Sequence, residues 1–199
     1  MTHPLWWQSA HAGIRLASQS PRRLELLQQV GITPQVTPVD CDETPHPGED
    51  PAHYVERLAR EKAQAGLNQP GQARMVIGSD TAVVIDNEPL GKPVDRADAK
   101  AMLQRLVGRS HEVMTGIAVV THTQSYSQVV TTRVTMRPAS EDELDAYLAT
   151  GESMDKAGAY AIQGMGAFLV EHIEGSYSAV VGLPIVETLA LLNQMDRTP

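Results

Sequence analysis

An α/β fold, with a mixed sheet flanked by helices, is what this sequence predicts, and three observations lead there. Helix-period and strand-period segments alternate through the first half of the chain, the pattern that lays helices against a sheet. Two adjacent β-rich runs, "HEVMTGIAVV" and "YSQVVTTRVTM", interrupt the second half as a hairpin and make the sheet mixed. The 199 residues are 42% apolar but only 4% aromatic, so the length suits a core filled by Val, Leu, Ile, Ala and Met.

Each element has a local reason. "IRLAS" reads as a short strand; Ser20 then offers an N-cap, Pro21 fits the first helical position, and Leu24, Leu27 and Val30 form a stripe that Gly31 ends. "VDCDETPHPGEDP" is loop. Asp50 and Pro51 repeat the cap-plus-proline start, ahead of an amphipathic run with Tyr54, Val55, Leu58 and Ala59 on one face. "ARMVIGSDTAVVID" predicts a buried strand, a break around Gly78–Thr81 and a second strand, and "NEPLGKP" predicts turns. Asp95 and Asp98 bracket the start of a helix that runs to Gly108. Ser140 and Glu143 are spaced as a capping box before "LDAYLAT". "FLVEHI" predicts a strand, "EGSYSAVVG" a turn region, and Pro184 the opening of a final helix. No repeat or linker divides two cores.

Charge and cysteine count narrow the function. The formal net charge is -8, which repels a nucleic-acid backbone, and no basic run or aromatic stacking set offsets it. Small anions remain open to it, because a few arginines in a cleft override the global sign. The single Cys41 excludes an intrachain disulfide and a multi-cysteine zinc site, and reads as a free thiol in a reducing compartment. "MTHPLWWQSAHAG" has no basic start or sustained apolar run of a secretory signal, and no stretch approaches a membrane span, so a cytoplasmic protein is expected.

Chemistry concentrates in three segments. In "LASQSPRRLELL", Ser18, Ser20, Arg22 and Arg23 lie where a strand gives way to a helix. Free backbone N–H groups and the positive end of the helix dipole disfavour cations there unless an anion is to be bound. Two guanidinium forks added to those amides suit a phosphate; splaying into water, or pairing with Glu25, is the plain alternative. In "GSDTAVV", Asp80 is expected at a sheet end beside Gly78, as a general base, a metal ligand or a turn former. Glu43, Asp40 and Asp42 supply further hard oxygen donors of the kind Mg²⁺ prefers, although a solvated loop better explains Asp40 and Asp42. Lys92 is aimed by the "LGKP" turn, whereas Lys62, late in an amphipathic helix, reads as a surface lysine. In "DKAGAYAIQGMGA", glycine density around Gln163 implies close backbone approach to a strand or a ligand. Phosphate-loop, zinc-protease and serine-elbow motifs are missing, and the seven histidines lack ligand spacing.

Taken together, "LASQSPRRLELLQQVGI", "REKA", "GSDTAVV…GKP", "AMLQRLVGRSHEVMTG", "DKAGAYAIQG" and "GSYSAVVGLPIVETLALL" resemble, in order and spacing, the Maf family from Ile14 to Leu192. The resemblance implies a single domain over residues 14–199, with residues 1–13 an arm outside it. It implies a Maf/ITPase-like twisted sheet with two lobes around a central cleft, and a homodimer as the assembly. It also implies nucleoside-triphosphate pyrophosphatase activity with a divalent metal, Mg²⁺ or Mn²⁺, cutting between the α- and β-phosphates. "KAGAYAIQG" resembles the branch acting on dTTP, UTP and modified pyrimidine triphosphates. By motif position Asp80 becomes the proton acceptor and Glu43 lines the cleft; from their chemistry Asp80 and Glu43 are the expected metal ligands. Arg22, Thr81 and Gln163 select the substrate, and Ser18, Arg23, Lys62 and Lys92 line its site. Ala161 departs from the family's usual glycine. A triphosphate carries about four negative charges at neutral pH, which several cations and a metal would offset. The Gln163 amide complements the N3–H and O4 edge of uracil or thymine, but discriminates against cytosine only if a neighbour fixes it. A regulatory protein acting on cell division by contact, and a Maf-type enzyme with another base preference, are the competing readings.

Overall fold

The computed structural model describes residues 13–197, so the arm expected at the N-terminus lies, apart from Gly13, outside the described residues. The strands are β1 (Ile14–Leu16), β2 (Gln35–Val36), β3 (Met75–Ile85), β4 (Glu88–Leu90), β5 (Ser110–Val120), β6 (Ser125–Met136) and β7 (Val170–Glu174). The helices are α1 (Pro21–Gln29), α2 (Pro51–Leu67), α3 (Arg96–Leu106), α4 (Glu141–Ala149), α5 (Tyr177–Val181) and α6 (Ile185–Arg197). Hydrogen bonding orders the sheet β2-β1-β3-β5-β6-β7, with β4 on β3. β1 runs parallel to β2 and β3, while β4 and β7 pair antiparallel with β3 and β6, so the sheet is mixed as expected. No helix among the described residues is long and apolar enough to cross a membrane.

The chain forms two compact units. Among the described residues, the first comprises 13–80, 115–130 and 182–197, and the second 81–114 and 131–181. In the first, α2 lies unusually close to the sheet. A Cβ on Gly78 would fall 2.2 Å from the Ala59 carbonyl oxygen, and one on Gly116 would fall 2.2 Å from that of Val55. Glycine at both positions lets helix backbone rest directly on β3 and β5. Gly78 thus serves helix packing, and one expectation is corrected: no break follows it. β3 is continuous through Gly78–Thr81, which places Asp80 in mid-strand instead of at a sheet end. Around this contact Ala17, Ala59, Ala63, Val76 and Ala118 are fully buried.

The starts of α2, α3 and α4 follow the sequence signals closely. Asp50 Oδ1 accepts from the Ala52 amide at 2.9 Å with Pro51 at the first position, and Asp95 Oδ1 accepts from Asp98 at 2.8 Å. The Ser140–Glu143 capping box is complete in both directions. Three segments differ from expectation. Glu88–Leu90, inside the "NEPLGKP" run that predicts turns, is a strand paired with β3. Phe168–Leu169 close a 3₁₀ turn, leaving β7 to begin at Val170, and "YSAVV" forms the short helix α5 in place of a turn.

The second unit packs Leu103, Leu106, Val134, Met136, Leu144 and Leu169 into its core, each side chain worth about 1.5–3 kcal/mol when fully buried. His111 is buried there too, with Nε2 2.8 Å from the Tyr160 hydroxyl and the two rings edge to face. Burial pushes the His111 imidazole down to about 4. The unfolded chain therefore takes up this proton near pH 6.5 while the native one resists it until about pH 4, so stability falls across that window and levels off below it. The full effect is on the order of 3 kcal/mol. We expect the urea midpoint of the wild type to drop between pH 7.5 and 5, and His111→Gln to flatten much of that drop. Equal slopes for the two proteins would remove His111 as the cause.

Candidate functional site

Asp80 is the sixth residue of β3 and only 8% exposed, an expensive place for a carboxylate without a counter-charge. Lys62 supplies one. Its Nζ lies 2.7 Å from Asp80 Oδ1 and 2.5 Å from Glu43 Oε1, so a single ammonium joins a buried carboxylate to a half-exposed one. Lys62 is itself 8% exposed, which overturns its reading as a surface lysine. The signal was present: Leu58, Ala59, Lys62, Ala63 and Gly66 continue one stripe at helical spacing, so Lys62 interrupts a buried face.

The loop carrying Glu43 is tied to α2 by residues that the sequence did not single out. Arg57 clasps Glu49 through Nε at 2.6 Å and Nη2 at 2.8 Å, and the guanidinium also reaches the Thr44 carbonyl. That clasp holds the Glu49 carboxyl well below the usual range, at about 2. The Tyr54 hydroxyl donates to the Glu43 carbonyl at 2.9 Å. Burial, helped by the negative charges of Asp80 and Glu43, pushes the Tyr54 phenol up to about 12. Asp42 only closes an exposed turn by accepting from the Thr44 amide, and Asp40 is exposed, as a solvated loop requires. Burial raises the Cys41 thiol, which suits an unreactive cysteine.

At the start of α1, Ser20 occupies the N-cap position without a side-chain cap, and the first turn contains no acid. Instead Ser18 Oγ accepts from the Ser20 amide at 3.1 Å and from Arg23 Nη1 at 3.2 Å. Arg23 Nε donates to the Gly182 carbonyl at 2.8 Å, the same oxygen that lies 3.0 Å from Ser79 Oγ on β3. Arg23 is thus part of the frame as well as a cation. Burial lowers the pKa of its guanidinium and Arg22 lowers it further, while the charges of Asp80 and Glu43 oppose both. Within the first unit, then, Arg23 bonds Ser18 and feels the charges of Asp80, Arg22 and Glu43, while Lys62 bridges Asp80 and Glu43.

The remaining expected residues belong to the second unit. Thr81 follows Asp80 along β3, Lys92 is exposed in the turn after β4, and Gln163 is exposed in the turn after Tyr160. The "GKP" turn and the glycine-rich segment meet, with the Gly158 amide donating to the Gly91 carbonyl at 3.1 Å. A Cβ on Gly158 would press on Val83 at 2.9 Å, so that glycine answers a close strand and not a ligand.

No group of three or more His, Cys, Asp or Glu residues among those described could hold a metal by itself. The donor set still fits a hard divalent cation. Asp80 and Glu43 converge on one ammonium nitrogen, and Mg²⁺ characteristically takes one or two carboxylates, completing its shell with water and phosphate oxygens.

A mixed-sheet α/β protein with arginines at a helix start and a lysine-bridged carboxylate pair carries groups of the kind that suit small polyanions. More particularly, the chain is a member of the Maf family: the model for "Maf-like protein" matches residues 13–195. It is 52% identical to a dTTP/UTP pyrophosphatase of Shewanella oneidensis, over 90% of this chain and 96% of that one. A dTTP/UTP pyrophosphatase of Pseudoalteromonas translucida is also 52% identical, over 92% and 97%, and one of Pseudoalteromonas atlantica is 50% identical, over 91% and 96%.

Proposed function

We propose that this chain hydrolyses dTTP and UTP, with modified pyrimidine triphosphates, to the nucleoside monophosphate and pyrophosphate, clearing them from the nucleotide pool. Similarity to the dTTP/UTP pyrophosphatases supports the substrate class, and the Lys62-bridged Asp80–Glu43 pair is the observation that carries the chemistry. In the reaction a water oxygen attacks the α-phosphorus, the bond from that phosphorus to the α–β bridging oxygen breaks, and pyrophosphate leaves with the bridging oxygen. Asp80 accepts the proton of the attacking water. Lys62 holds the Asp80 carboxylate in place through Oδ1 and keeps Glu43 near it. Asp80 and Glu43 would hold the divalent cation, Mg²⁺ or Mn²⁺, which when bound neutralises phosphate charge. Arg22, Arg23, Ser18 and the α1 amides are assigned to phosphate, and Lys92 adds a further cation. Thr81 and Gln163 take part in substrate selection, with Gln163 pairing to the O4 and N3–H edge of the base. A homodimer and a cytoplasmic location belong to the same reading and rest on the family resemblance.

A panel of nucleoside triphosphates with Mg²⁺ or Mn²⁺, with products identified, tests this reading. UTP and dTTP are expected to release pyrophosphate faster than CTP or GTP, and Arg22→Ala to raise KM for both by tenfold or more. Orthophosphate as the first product would refute the bond assignment. No turnover with any triphosphate would leave the contact-acting regulatory reading in its place.

A further inference from the structure

We infer that Glu152, together with Tyr147, is a specificity-positioning residue: it clamps both ends of the turn that presents Gln163, and so fixes where the base-reading amide stands. The inference rests on the reading of Gln163 as the base contact.

The clamp lies wholly within the second unit. Glu152 follows α4 in a 3₁₀ turn (Glu152–Asp155) and is half-buried. Its Oε1 accepts from the Met165 amide at 2.9 Å, and its Oε2 from the Gly166 amide at 2.9 Å and the Tyr147 hydroxyl at 2.8 Å. The Tyr147 oxygen in turn accepts from the Ala161 amide at 3.2 Å. Gln163 thus sits between two anchored backbone points, residue 161 on one side and residues 165–166 on the other. Inside that frame the Gly164 amide donates back to the Ala161 carbonyl at 3.3 Å, closing the turn on itself.

Three donors on one carboxylate form charge-assisted bonds, roughly twice as strong as neutral ones. Burial acts to raise the Glu152 pKa, but the Gly166 and Met165 amides and the Tyr147 hydroxyl outweigh it and the net shift is downward. The carboxylate therefore stays charged while it holds the turn. Sequence around Gln163 is shaped to the clamp. A Cβ on Gly164 would fall 1.8 Å from Glu152 Oε1, and one on Gly166 would fall 2.8 Å from the Tyr147 oxygen. The glycine density that reads as closeness to a strand or a ligand is at these two positions closeness to the clamp.

The physical consequence concerns selection more than rate. An amide offers a donor and an acceptor side by side, and cytosine carries the reverse of the uracil pattern; side-chain rotation chooses which end is presented, while the turn sets the distance and angle at which that end can meet the base. Discrimination is strong only when the wrong base leaves buried polar groups unpaired, which requires that the protein group cannot move to suit it.

The experiment compares kcat/KM for UTP and CTP in the wild type, Glu152→Gln, Tyr147→Phe, Gln163→Ala and the Glu152→Gln/Gln163→Ala double variant, each assayed below its measured melting temperature. Glu152→Gln keeps the size but turns one acceptor into a donor facing backbone N–H groups; Tyr147→Phe removes a single hydroxyl and serves if the first variant does not fold. We expect either clamp variant to cut the UTP/CTP ratio tenfold or more, mainly by lowering KM for CTP and raising it for UTP, with kcat for UTP within about threefold of the wild type. In the Gln163→Ala background the second change is expected to alter the ratio little. A collapsed ratio in Gln163→Ala beside a retained one in both clamp variants overturns the inference. An unchanged ratio in Gln163→Ala instead overturns the base-contact reading on which it rests.

Discussion

Asp80→Asn is expected to lower kcat for UTP by about 10²–10⁴-fold, the range that a positioned general base contributes, and to change the melting temperature little. The two halves of that expectation come from the same contact. Asparagine retains an oxygen where Oδ1 stands and can still accept from Lys62, whose ammonium also keeps Glu43 at 2.5 Å. The buried charge on Lys62 is therefore not stranded, and the 3–5 kcal/mol or so that normally follows from breaking a buried pair is avoided. What asparagine lacks is a site to take the proton of the attacking water. Metal dependence separates the two jobs assigned to Asp80. If the carboxylate served only to hold the cation, a tenfold increase in Mg²⁺ would restore much of the rate; with Asp80 as proton acceptor, the saturated rate stays low at any metal concentration. Near-normal kcat at saturating metal would remove Asp80 from proton transfer.

Much of the frame around this group was legible because its signals are local. Asp50, Asp95 and Ser140 cap helices through bonds to residues two or three positions away, and each does in the structure what its spacing implies. Asp80 was legible as a candidate but not in its placement. "GSDT" carries the composition of a turn, yet Gly78 is there because the α2 backbone presses on it, a contact made with residues 15 or more positions earlier in the chain. Lys62 was hidden for a related reason. Its partners, Glu43 and Asp80, are 19 and 18 residues away on opposite sides, so nothing adjacent distinguishes it from a solvent-facing lysine except the apolar stripe it interrupts. Arg57, which reaches the Thr44 carbonyl, and Glu152, which holds the Gln163 turn, share this character: charged residues whose work is on backbone folded against them. Family resemblance reached Asp80, Lys62 and Glu43 through motif position, and the structure supplies the contacts that join them.

Arg15→Met is expected to be the most destabilising of the changes considered, by about 3–5 kcal/mol, while leaving kcat/KM per folded molecule close to the wild type. Arg15 lies on β1 and is 1% exposed, although "IRL" reads as an ordinary strand fragment. Its guanidinium closes the C-terminal end of α2: Nη1 donates to the Gly66 and Gln69 carbonyls at 2.7 and 3.1 Å, and Nη2 to the Pro70 carbonyl at 2.9 Å. Gly66 belongs to the last turn of α2, where the dipole favours a cation, and Gln69 and Pro70 follow directly after the helix. Methionine fills much of the space but donates nothing, so the Gly66 carbonyl keeps the Gln69 amide at 3.3 Å and the partly buried Gln69 and Pro70 carbonyls lose their donor, each loss costing on the order of 1–3 kcal/mol and not adding in full. Lysine in the same position is expected to recover part of the loss, since an ammonium cannot span carbonyls set apart for a fork. Urea midpoints for the wild type, Arg15→Lys and Arg15→Met should fall in that order. If Arg15→Met lost less than about 1 kcal/mol, the carbonyls would have found water or each other, and the end of α2, with Lys62 one turn before it, would be held by packing on the sheet alone.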